Sequence, residues 1–142
     1  MKRKKPKSVL KTEKAKTWKL ISEYVRRKDA DDDGYTACYT CGASGHWKTM
    51  QCGHFFHGKL DYDLRNLKCQ DARCNKFLHG NLAEYSARLI REEGRDFFDS
   101  LYRDAHKEYK YTVEELVDIQ AELKGKLKEL EMFKDAKIKA VF

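Results

Sequence analysis

The feature that most constrains this chain is a pair of cysteine pairs. Cys38-Tyr39-Thr40-Cys41-Gly42 is a C-x2-C knuckle, and Cys69-x4-Cys74 follows downstream. Two thiolates at the first spacing can reach one metal ion, and the glycine after them permits the tight turn. Four thiolates close a tetrahedral shell, the form that structural zinc prefers. The spacing therefore predicts a structural zinc held by Cys38, Cys41, Cys69 and Cys74. Such a site makes residues 42–68 a closed loop. The alternatives are reduced cysteines in a core, or a redox C-x2-C, which the absence of a βαβ pattern disfavours. Cys52 is left over and reads as core.

Composition agrees with a stapled fold. The chain has 142 residues, 41% hydrophobic and 37% charged. That supplies one small core with long solvated surfaces, and a core of this size often needs a metal or an oligomer contact. The net charge of +7 favours an anionic partner, nucleic acid first. Lys2, Arg3, Lys4, Lys5 and Lys7 crowd the start and are the candidate DNA-phosphate contacts, while Asp29 and Asp31 to Asp33 form an acidic knot. No run approaches the roughly 20 apolar residues of a membrane span, and the start lacks the apolar stretch of a secretory signal. The expected compartment is the cytoplasm, where disulfides are rare and metal binding is the better use of cysteine.

The chain reads as three segments. Residues 1–34 are a disordered basic tail followed by a helix from Val9 to Lys28, with Trp18, Ile21 and Val25 on one face. Residues 35–94 hold short strands and loops, including a hairpin around Trp47 to His57, and then a helical pattern from Cys74. Leu82, Tyr85, Leu89 and Ile90 give that pattern its apolar face, and Gly94 its stop. Residues 95–142 continue with a helix from Arg95 to about Lys107. A last helix is announced by Thr112 and Glu115 at capping-box spacing. Its stripe of Leu116, Ile119, Leu123, Leu127, Leu130 and Phe133 either packs back on the domain or forms a homodimer seam.

The polar residues cluster around the knuckles. In a hairpin bound to a helix by zinc, His54 on the hairpin faces Asn75 and His79, which share a helical face at i and i+4. Phosphodiester hydrolysis needs a base for water and a cation for the phosphate. A neutral imidazole suits the first role. The oxygen of Asn75, with a nitrogen from His79, suits a catalytic Mg²⁺ or, given the nitrogen, Mn²⁺. Taken singly, each has a structural reading: His54 as a satisfied histidine, His46 and His57 as loop residues, and Asn66 as a turn-former.

Cys38-x2-Cys41-Gly42, Gly53-His54-Phe55, Arg65-Asn66-Leu67, Cys74-Asn75 and Gly80-Asn81-Leu82-x2-Tyr85 follow one another in order. Over roughly residues 14–130 this series resembles the NinG family of lambdoid phages, also called Rap, whose fold is of the HNH (ββα-metal) nuclease type. The resemblance implies an α+β protein, a small zinc-bound ββα-metal core flanked by N- and C-terminal α-helices. It implies a phage recombination endonuclease acting on branched DNA, such as Holliday junctions and D-loops, in the bacterial host cytoplasm at the nucleoid. By the same resemblance His54 is the general base, Asn66 orients that histidine or pins its loop, and Asn75 binds the catalytic metal. The chain departs from the pattern twice. Asp71 stands where relatives carry the first cysteine of the second knuckle, so the fourth zinc ligand is Cys69, the better donor, or Asp71. Gly53 stands where many such sites carry an acidic metal ligand, which leaves His79, Asp63 or the bound phosphate for that role. A zinc-stabilised DNA-binding module without catalysis is the alternative reading.

Overall fold

The computed structural model describes residues 2, 3 and 6–141, without the side chains of residues 6, 7 and 138–141. Lys4 and Lys5 lie outside the described residues, as does the side chain of Lys7; Lys2 and Arg3 are exposed. The protein is α+β, with helices and small antiparallel sheets. It forms two compact units, Met1–Tyr24 with Tyr111–Phe142, and Val25–Lys110. The segment from Val25 to the acidic knot and the helix after Gly94 thus go with the central unit, unlike the three-segment division expected from sequence.

The first unit is built from two long helices, α1 (Pro6–Arg27) and α4 (Val113–Val141). Helix α1 starts three residues earlier than its apolar period suggests. The capping box forms as expected: Glu115 N–H donates to Thr112 Oγ1 and Thr112 N–H to Glu115 Oε2, each at 3.1 Å. Ile21 is buried, as are Leu116, Leu123 and Leu127 of the predicted stripe. The stripe does not stay buried, because Phe133 is 65% exposed. A polar contact joins the two helices. Gln120 Nε2 donates to Thr17 Oγ1 at 3.1 Å and to Glu13 Oε2 at 2.7 Å. Such a buried polar pairing fixes register, because any slip leaves the amide unsatisfied.

The central unit opens with a hairpin of β1 (Tyr35–Ala37) and β2 (Ser44–His46), Tyr35 opposite His46 and Ala37 opposite Ser44. The knuckle is its turn. Gly42 takes φ +78 there and donates its N–H to Cys38 O. A 3-10 turn, Trp47–Thr49, follows, capped by His46 Nδ1, which accepts from Lys48 N–H. His46 is therefore a capping residue. The guanidinium groups of Arg26 and Arg27 lie 5.3 and 5.1 Å from the Trp47 ring centroid.

The second sheet pairs β3 (Gln51–His54) with β4 (Leu67–Gln70): Gln51 faces Gln70, Cys52 faces Cys69, Gly53 faces Lys68 and His54 faces Leu67. The hairpin expected around Trp47 to His57 is not formed, since the partner of β3 lies beyond a long connection rather than next to it. Sequence alternation could not locate a partner so far off.

The expected helix from Cys74 is also absent. Arg73–Phe77 is a single π turn closed by Leu78 N–H on Arg73 O. His79, Gly80 and Asn81 then all take positive φ, at 51°, 92° and 48°. Left-handed residues end a helix, so the long helix α2 starts only at Leu82 and runs to Glu93. Gly94 stops it as expected, and α3 (Arg95–Ala105) follows. Tyr85 and Leu89 of α2 pack with Leu60 and Leu101 into the core, with Phe55, Phe56, Phe97 and Phe98 around them. Cys52 is buried, as expected for a core thiol. Among the described residues no helix is long and apolar enough to cross a membrane.

Candidate metal centre and the His54 loop

The two knuckles meet. One ligand atom from each of Cys38, Cys41, Asp71 and Cys74 lies within 4.8 Å of the others, and these four could hold a metal ion. The expected Cys69 is not among them. It sits on β4 opposite Cys52, and the strand continues past it to Gln70 before the chain turns. Asp71, at the turn, reaches the site instead. Its Oδ2 accepts the Cys41 thiol at 3.1 Å, and its Oδ1 accepts the Cys74 backbone N–H at 2.7 Å. The pairing thus has C-x2-C geometry with an aspartate in the first position.

The electrostatics suit a cation. Burial opposes ionisation of Cys38, but bonds from the Thr40 hydroxyl and from backbone N–H groups outweigh it and draw the thiol below its usual range. At Cys41 the Ala43 backbone favours the thiolate. The Asp71 carboxylate, burial and the other thiols win, and push it up to about 12. Those neighbours are anions or latent anions, and a divalent cation among them would reverse the balance and deprotonate the thiols. Three sulfurs and one carboxylate oxygen make a tetrahedral donor set that zinc accepts. The residues fit the group.

The second cluster surrounds His54, at the end of β3. Its Nε2 is 3.3 Å from Asp61 Oδ1, and its ring centroid is 5.2 Å from that of His57. Burial holds the His54 pKa below the ordinary imidazole value, Asp61 opposes that, and nearby His57 adds to it. Asp61 was not anticipated from sequence. Its only signal is the Gly58-x2-Asp61 spacing, which lets the carboxylate accept Gly58 N–H at 2.9 Å and close a turn.

Asn66 is fully buried and pins this loop. Its Nδ2 donates to Phe56 O at 2.7 Å and Leu60 O at 3.0 Å, and its Oδ1 accepts from Phe56 N–H at 2.8 Å. These bonds go to loop backbone and none to His54. Of the two roles the resemblance implies, the loop is the one whose contacts are present.

The structure does not bring the rest of the expected constellation together. Asn75 Nδ2 donates to Gln51 Oε1 at 2.8 Å, at the opposite end of β3 from His54. Alternation along the strand turns Gln51 and His54 to opposite faces. His79 is exposed in the left-handed segment and shares no helical face with Asn75. Asp63, the other candidate metal ligand, caps a 3-10 turn and holds Arg65 at 2.7 Å. The expected pair of catalytic-metal ligands beside His54 is thus not assembled, because the helix meant to present it ends after one turn.

The missing acid before His54 has a local reason. A Cβ on Gly53 would overlap Oε1 and Cδ of Gln70, whose side chain is fully buried. Gln70 is held there by bonds from its Nε2 to Thr40 Oγ1 at 3.0 Å and Gly80 O at 2.8 Å. An amide therefore fills the space that a side chain at position 53 would enter.

A family model described as Bacteriophage Lambda NinG protein matches residues 1–133. The chain is similar to Protein ninG of Escherichia phage lambda, 29% identical over 117 residues, which covers 78% of this chain. It spans about half the length of that curated relative, 53%. No solved structure matches this one.

Proposed function

Because the chain belongs to the NinG family, we propose that it is a metal-dependent endonuclease of phage recombination, with His54 as general base on branched DNA. One observation carries this reading. His54 stands at a strand end with its ring held below the ordinary imidazole pKa and its Nε2 3.3 Å from Asp61. An imidazole neutral at working pH, and fixed in orientation, can take a proton from water beside a phosphodiester. Asp61 is then a positioning residue, and Asn66 keeps the loop that carries both. A hard divalent cation would neutralise charge on the phosphate. Its expected ligands are not gathered beside His54, so no step is routed through it.

The Cys38–Cys41–Asp71–Cys74 cluster, loaded with zinc, has a structural role in this reading, because a closed shell leaves no position for substrate. Affinity for DNA comes from the basic surface, including exposed Lys2 and Arg3. The reaction would take place in the cytoplasm of the bacterial host. Paired cuts across a junction suit a symmetric dimer, for which the exposed part of α4, with Met132 and Phe133, is the candidate seam.

The test is cleavage of a four-way junction and a D-loop in Mg²⁺ by the protein and by His54→Ala. Cutting by the parent and none by the variant, with DNA binding retained, is the expected result. Equal cutting by both removes His54 as the base.

A second reading, a zinc-stabilised DNA-binding module without catalysis, draws support from Asn75 being tied to Gln51. Junction binding without cleavage in Mg²⁺ or Mn²⁺ would favour it.

A further inference from the structure

The central unit contains a cleft of about 320 Å³ that neither the metal centre nor the His54 loop uses. Three cations line it from separate elements, Lys28 after α1, Lys68 on β4 and Arg88 on α2, and two carboxylates, Asp29 and Glu92, line it with them. Tyr39, beside the first knuckle cysteine, lies among them. The Arg88 guanidinium sits 4.1 Å from its ring centroid and the Lys68 ammonium 5.1 Å.

Two of the cations are matched. Arg88 holds Glu92 at 2.7 Å, and Lys28 stands 3.8 Å from Asp29. Lys68 is different. It is half-buried, and among the described residues its ammonium has no hydrogen bond or salt bridge. Glu93, Glu92 and Asp29 attract it through space without touching it. A half-buried cation with no direct contact is only partly compensated, and a bound anion would offset the rest of that cost.

We propose that this cleft is a binding site for a phosphate ester, with Lys68 as its central contact and Lys28 at its edge. The fixed Arg88 forms the wall behind them. The volume exceeds what a carboxylate needs and falls in the range of small-molecule sites, large enough for one nucleotide unit. The site is separate from His54. Gly53 and Lys68 are opposite in register and share a face of the sheet, whereas His54 and Leu67 share the other. The inference goes beyond the nuclease reading and does not depend on it.

The experiment titrates the full isotope-labelled chain with inorganic phosphate, thymidine 5′-monophosphate, a short oligothymidylate and, as a carboxylate control, succinate. Amide shifts locate the site and give Kd. The phosphate-bearing probes should shift Thr36, Ala37, Lys68 and Cys69. Lys68→Gln should weaken binding by about tenfold, roughly the worth of one charge-assisted contact, while Lys68→Arg retains it. Lys28→Gln, at a more exposed position, should weaken it less. An oligomer that binds far more tightly than the mononucleotide identifies the source as strand backbone, and equal affinities identify a terminal phosphate. Shifts that map elsewhere, affinity untouched by both glutamine variants, or succinate binding as well as phosphate would each overturn the proposal. His54→Ala should bind these probes like the parent. A protein that binds them here yet never cuts DNA would remove the nuclease reading and leave this one standing.

Discussion

Asp71 accepts the Cys41 thiol at 3.1 Å, across the gap between the two knuckles. That contact, and not the count of cysteines, identifies the fourth member of the metal cluster. Equimolar zinc should be retained by Cys69→Ser and lost from Asp71→Ala and Cys74→Ser. Asp71→Cys should hold it more tightly, since thiolate is the stronger donor. Metal analysis after dialysis checks all four. Loss of zinc from Cys69→Ser with retention by Asp71→Ala would restore the four-thiolate assignment.

Zinc removal should be a folding event. Binding free energy at such sites is largely folding free energy, on the order of 10 kcal/mol or more. A chelator, or Cys41→Ser, should therefore abolish the cooperative thermal transition of the central unit. A transition unchanged by the chelator would show that the thiols hold no structural metal.

The His54 loop predicts a sign for pH dependence. The base must be neutral, and burial keeps its pKa below about 6.5, so cleavage should rise with pH and reach half its plateau below that value. Asp61 is the neighbour that raises the pKa. Asp61→Asn should therefore shift the inflection to lower pH while lowering the plateau rate, because the ring loses its orienting partner. A pH–rate profile separates this from a merely structural role, which would leave the inflection in place.

Asn66→Ala should act on stability. The substitution leaves Phe56 N–H, Phe56 O and Leu60 O without their side-chain partner in a buried place. Each such loss costs about 1–3 kcal/mol at full desolvation, and partial relaxation suggests a total of roughly 3 kcal/mol. Denaturant unfolding measures it. A stable protein that fails only in cleavage would return Asn66 to the chemistry.

Gly53→Ala should destabilise by about 1–3 kcal/mol, the usual cost of overpacking, because its Cβ meets the clamped Gln70 amide. The double variant Gly53→Ala with Gln70→Ala should recover part of that loss, and a double-mutant cycle in urea gives the coupling. Strictly additive effects would mean that Gln70 does not occupy the space.

Much of this molecule is legible in the chain itself. The knuckle at Cys38 and Cys41, the capping box at Thr112 and Glu115, the stop at Gly94 and the buried Cys52 all rest on local rules of spacing, turn chemistry or burial. Such rules need only a few neighbouring residues. What the tertiary structure decided was everything that depends on distant partners. It paired β3 with a strand beyond a long loop, placed Asp71 rather than Cys69 against Cys41, ended the turn after Cys74 with three left-handed residues, and brought Asp61 to His54. A side chain's neighbours across a sheet or a knuckle are set by register and by the direction in which the chain leaves a turn. One residue of shift sends a ligand to the other face, and no local pattern records which way that shift falls.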